Sequence, residues 1–205
     1  MRRAAPMITF VLGVALAFLV VSWTSGPDAT ERRVEELRQA EAQRDVEQIG
    51  ALIELARGTR DRLTPVLVDM AKVAPFEAVA PVAPTAEQVR GWKDVVLAEV
   101  KRYEQTPSAG NGVNVARTGM RTAVDQLVSA VSAFDAAVEV EEPARSRFVG
   151  LAAGQRTLAL RTWSVAALQL DVISIEAGKG HVHVYLPSGS GSGAVTPDSS
   201  PEGTG

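Results

Sequence analysis

The sequence predicts a mainly α protein. One N-terminal transmembrane helix precedes an antiparallel bundle of about four helices and a disordered tail. A short C-terminal β-hairpin stands beside this as an alternative for one segment. Three observations carry the reading. Residues 7–23 form an uncharged apolar run. Apolar residues then recur at steps of three and four through most of the chain, the helical period. Residues 188–205 are dominated by Gly, Ser, Pro and Thr, which cannot bury enough apolar surface to order themselves.

The 205 residues leave roughly 160 once the first segment and the tail are removed, which suits one domain. That is long enough to bury a core without disulfides or metals. Aromatics are only 5%, so the core must be built from Ala, Val and Leu. Basic and acidic residues nearly balance, 21 against 24, and no basic field is present to attract nucleic acid. The absence of cysteine excludes thiol catalysis, cysteine-zinc sites, iron–sulfur clusters and lipoprotein attachment.

The apolar run, MITFVLGVALAFLVVSW, spans about 26 Å at ~1.5 Å per residue. A bilayer core is about 30 Å thick, so Ala4, Ala5 and Thr24 complete the crossing. Pro6 suits a helix start and Trp23 a membrane interface. No small-residue cleavage pattern follows at Ser22-Trp23-Thr24-Ser25-Gly26, and Pro27 disfavours one possible cut. The expectation is an uncleaved signal-anchor over 7–24 that contacts the lipid bilayer, with secretion after cleavage as the alternative. Arg2 and Arg3 place residues 1–6 in the cytoplasm and domain 28–187 outside the cell membrane, in a single pass. An Arg-rich, Ala- and Val-rich composition suggests a bacterial source.

After Gly26-Pro27, a helix is expected over 30–57, with Val34, Leu37, Ala42, Val46, Ile49, Ile53 and Ala56 on one face. Thr64-Pro65 reads as the cap and first turn of a separate short helix ending near Val73. Pro75, Pro81 and Pro84 then predict an extended connector. Thr85-Ala86-Glu87-Gln88 is a capping-box sequence. It opens a helix to about Tyr103 with Val89, Trp92, Val96, Val100 and Tyr103 aligned.

Residues 106–114 read as a turn; they hold two glycines but no P-loop Lys-Ser/Thr. Asn114 is the expected cap of a helix to about Val138. Its seam of Met120, Val124, Leu127, Val131, Phe134 and Val138 suits bundle packing or a partner helix, including self-association. Glu141-Glu142 before Pro143 suit the positive end of a last helix to about Ile175. From Trp163 to Ile175 that helix is apolar on nearly every side, which predicts central burial. Asp171 and Arg161 make it a poor membrane crossing. The hairpin alternative rests on alternation in 170–176 and again in 181–186, across Gly178-Lys179-Gly180.

His181 and His183 are the only imidazoles. On an extended strand, i and i+2 point to one side, so the pair is the candidate metal site, though a firm site needs further ligands. No G-x-S-x-G elbow is present, and no catalytic residue or cofactor is assigned. Arg117, Arg121, Arg145, Arg147, Arg156 and Arg161 are expected in surface ion pairs rather than around an anion. The functional expectation is a membrane-anchored, non-catalytic accessory or scaffolding protein of the bacterial cell envelope. The alternative is an extracytoplasmic ligand- or metal-binding module, sensor-like but without its own signalling output.

Overall fold

A computed structural model describes residues 29–75, 83–188 and 194. The expected anchor over 7–24 and residues 1–6 lie outside the described residues, as does part of the proline connector. Of the expected tail over 188–205, Ser188 and Ala194 are described, and Ala194 packs against the core. The described chain forms four helices: α1 (Ala29–Val73), α2 (Ala86–Glu104), α3 (Asn111–Val138) and α4 (Ala144–Glu176). It divides into two compact units, Met1–Arg44 and Asp45–Gly205.

In the first unit, every side chain from Thr30 to Arg44 is exposed. Val34 and Leu37, expected on a buried edge, face solvent. Within this unit no second described element covers them. Exposed pairs one turn apart, Arg33 with Glu36 at 3.5 Å and Arg38 with Glu35 at 4.0 Å, lend the helix a few tenths of a kcal/mol each.

The second unit is an up-down-up-down bundle, and its side-chain contacts fix the directions. On α1, Thr59 and Arg62 meet Glu99 of α2, while Asp69 meets Trp92 and Gln88. Positions rise on one helix and fall on the other, so the two run antiparallel. Trp92 packs edge-on against Phe134, with ring centroids 5.2 Å apart, and Lys93 reaches Asp135 at 3.0 Å. Arg121 lies 3.8 Å from Glu104, so α2 and α3 are antiparallel as well. Between α3 and α4 the backbones come very close. A Cβ at Gly119 would sit 2.8 Å from Ala166 Cβ, and one at Gly112 would sit 2.9 Å from Ile173.

Burial on α1 begins at Ile49 and continues through Leu52, Ile53, Ala56, Leu63, Leu67 and Met70. The predicted break at Thr64-Pro65 does not occur, and Pro65 sits inside the helix. An interior proline costs about 3 kcal/mol. Burying Leu63, Leu67 and Met70 on the flanking turns returns about 1.5–3 kcal/mol each, which outweighs it. Thr64 does not cap a new helix; its hydroxyl donates back to Arg60 O at 2.8 Å.

The capping box at α2 is present as expected. Gln88 N donates to Thr85 Oγ1 at 3.2 Å, and Thr85 N donates to Gln88 Oε1 at 3.0 Å. Asn114 does not cap α3, whose N-cap is Gly110. Its amide instead bonds both backbone groups of Ala109, holding the preceding loop. The expected seam on α3 is buried from Met120 to Phe134, with Val138 half-buried. At the start of α4, Glu142 accepts from Ser146 N at 3.3 Å and Ser146 Oγ at 2.7 Å. An acid there meets free amides and the positive helix end.

The β-hairpin is not formed. Residues 170–176 belong to α4, and there is no strand among the described residues. Gly178-Lys179-Gly180 stops a helix instead of turning a hairpin. Gly178 takes φ +70°, its N–H reaches Ile175 O at 2.9 Å, and Lys179 N reaches Ser174 O at 2.9 Å. This is a Schellman stop, where glycine alone enters the left-handed region without strain. The alternation after it is nonetheless meaningful. Val182, Val184 and Leu186 are buried while His181 and His183 are exposed, so the segment is an extended strap lying on helices.

Candidate interaction surface

Three places in the second unit gather polar or unpartnered side chains: a buried carboxylate, the strap, and the outer face of α4. The first is Glu99, fully buried on α2. It accepts from Thr59 Oγ1 at 2.8 Å and from Arg62 at 2.5 and 3.0 Å, with Arg102 at 3.2 Å. Burial pushes its carboxyl up, but the Arg62 and Thr59 hydrogen bonds and the two guanidinium charges outweigh this and hold it below its ordinary value. The same carboxylate raises Arg62. Buried Tyr103 stands one turn away, and desolvation raises its phenol. With every Glu99 contact made to its own protein, the cluster works as a lock between α1 and α2.

Arg156, expected at the surface, is instead almost fully buried. Its guanidinium donates to Ala74 O at 2.6 Å, across 82 residues of sequence. Burial pushes it down to about 10. The other arginines of that group stay nearer solvent. Arg117 bonds Thr106 O and Asn114 Oδ1, and Arg145 bonds Val140 O and Glu141.

The strap carries the two histidines. Their rings stack nearly parallel, with centroids 6.0 Å apart. His181 Nδ1 lies 3.1 Å from Asp171 Oδ2, and Asp171 Oδ1 accepts from Val182 N at 2.5 Å. Asp171, a residue that made α4 unfit for a membrane, is thus the peg that holds the strap's start. Trp163 Nε1 donates to Val184 O at 2.6 Å, and Arg60 Nη1 donates to His183 O at 2.9 Å. Among the described residues, no three His, Asp or Glu side chains gather into a metal-binding group. The structure therefore brings His181 and His183 together, beside one carboxylate already engaged by the strap.

The outer face of α4 is the third place. The expectation of burial all round fails on one side. Eight positions between 151 and 175 are exposed: six aliphatic side chains, Gly154 and Arg161. The aliphatic six are Leu151, Leu158, Val165, Leu168, Val172 and Ile175, each between 42% and 64% exposed. Val115 of α3 extends the patch at 61%. A groove beside it is floored by Gly119 and Ala166, where the two helices approach closely. Sequence reasoning missed this stripe. Its seven-residue spacing was visible, but the buried face of the same helix is also apolar and masked it.

By length and composition α4 is the one described helix able to cross a membrane. Yet 56% of its most apolar window is buried within the bundle, as in the core helix of a protein in water. No family model, curated protein or solved structure matches the chain.

Proposed function

We propose that this chain is a non-catalytic helical interaction module of the bacterial cell envelope. Residues 7–24 tether it to the membrane, and the bundle is presented on the outer side. The observation that carries the reading is the aliphatic face of α4. Single exposed hydrophobes are ordinary, but six along one helix face, interrupted only by Gly154 and Arg161, form a surface made to be covered. The polar clusters support the same reading, because Glu99 and Asp171 spend their oxygens on the protein's own groups.

In vivo crosslinking of the full chain followed by mass spectrometry tests this. The expected result is the chain in the membrane fraction, with a reproducible small set of crosslinked proteins. Recovery of random membrane neighbours alone would count decisively against the reading. So would a chain found in the soluble fraction with residues 7–24 intact.

A further inference from the structure

We infer that the exposed face of α4 pairs antiparallel with the same face of a second copy, making a twofold dimer. This deepens the reading of the chain as an interaction module and rests on it. Leu151, Leu158, Val165 and Val172 recur every seven residues, and Leu168 and Ile175 belong to the companion series that Gly154 and Arg161 complete. Two interleaved series of this kind are the seam along which two helices pack side by side.

The seam is symmetric about the level of residue 163. An antiparallel copy sets Leu151 against the partner's Ile175, and Leu158 against the partner's Leu168. Gly154 then receives the partner's Val172, a small residue opposite a branched one. Arg161 lies beside the partner's Val165, where its aliphatic stem packs and its charged end reaches the edge.

Charge chooses this direction over the parallel one. Arg147 and Glu176 are exposed at opposite ends of α4. Antiparallel pairing brings each beside the other's opposite charge. Parallel pairing would align like charges at both ends, whereas the two copies of Arg161 come close in either direction, level in the parallel one and about 6 Å apart along the axis in the antiparallel one. A lipid surface is a poorer occupant, since it would have to accept Arg161 in the middle of the stripe.

The area suits a dimer as well. Complete burial of the stripe and Val115 on both copies would reach at most about 1,200 Å², the lower edge of a specific interface. Such an interface is weak in free solution. Tethering both copies to one membrane raises their effective concentration and favours it.

The chain has no cysteine, so introduced thiols report without background. Full-length chain carrying both Leu158→Cys and Leu168→Cys is treated in cell membranes with a short bis-maleimide. The expected product is a dimer of twice the mass. Neither single variant should crosslink, because each thiol sits about 15 Å along the axis from its own copy. Adding exposed Val165→Glu should cut the dimer about tenfold or more while leaving helicity and melting temperature unchanged.

Crosslinking by Leu158→Cys alone would overturn the antiparallel pairing. No product from the double variant, a product with a different protein, or indifference to Val165→Glu would overturn the dimer. If in vivo crosslinking still recovers fixed neighbours after such a failure, the interaction-module reading stands and the twofold pairing falls.

Discussion

Glu99 is one carboxylate with several donors and no solvent. Glutamine in its place keeps one acceptor oxygen and turns the other into a donor, so Thr59 and Arg62 can no longer both be satisfied and the charge that holds Arg62 is lost. Glu99→Gln should therefore cost about 2 kcal/mol, read as a lowered melting temperature. Its folded carboxyl titrates below its unfolded value of 4.5. The stability it contributes is therefore fully present above about pH 4.5 and disappears as pH falls through the folded value. The difference in melting temperature between wild type and Glu99→Gln should shrink in that acidic window; a gap constant from pH 7 to pH 3 would contradict the assignment. The sequence shows the periodic positions Val89, Trp92, Val96, Val100 and Tyr103, but Val100 is only half-buried and the fully buried position beside it belongs to Glu99. Steps of three and four run straight through it, yet a charge at a core position reads as an interruption until its partner is seen. That partner, Arg62, comes from another helix. The capping box of Thr85 and Gln88 was legible for the opposite reason, being made and satisfied within four residues.

At the scale of elements, periodicity located α2 and α3 to within a few residues, because each has one continuous buried face, and α4 was found from the acids and proline at its start and the apolar run that follows. It divided α1 wrongly at Pro65, where a local rule met a larger tertiary gain. Pro65 is exposed and its position lacks only the missing N–H. Pro65→Ala restores that donor toward Asp61 O and should stabilise the bundle by about 1 kcal/mol, less than the full interior penalty because proline also restricts the unfolded chain. Thermal unfolding checks the sign: a lower melting temperature would mean the helix needs the ring's bend. The strap makes the complementary point. Period two tells that one face of 181–186 is buried, but not what covers it. Helices covered it here, so correct alternation led to an incorrect strand.

At the scale of the whole molecule, the strap is the piece that joins the ends of the bundle. It bonds α1 through Arg60 and α4 through Trp163 and Asp171, and drives Val182, Val184 and Leu186 into the core. Val182→Ala with Val184→Ala should cost about 3–4 kcal/mol, a large share of the stability of any small domain. Chemical denaturation of the full chain measures it, and a loss under 1 kcal/mol would show that the strap is an ornament on a self-sufficient bundle. Composition foretold such a core, short of aromatics and filled by Ala, Val and Leu. It could not tell the inner face of α4 from the outer one, since both are apolar and only the placement of α3 and the strap distinguishes them.

The strap also has a direction of weakness under load. Three of its ties follow one another along the chain: the carbonyl of Val184 to Trp163, the carbonyl of His183 to Arg60, then the amide of Val182 to Asp171. Tension applied from the C-terminal side meets them singly and peels the segment like tape. Tension applied along α1 would instead meet the packed length of a helix in shear. A molecule held at one end and pulled at the other therefore yields first at residues 182–186, and α4 loses its inner cover before the helices part.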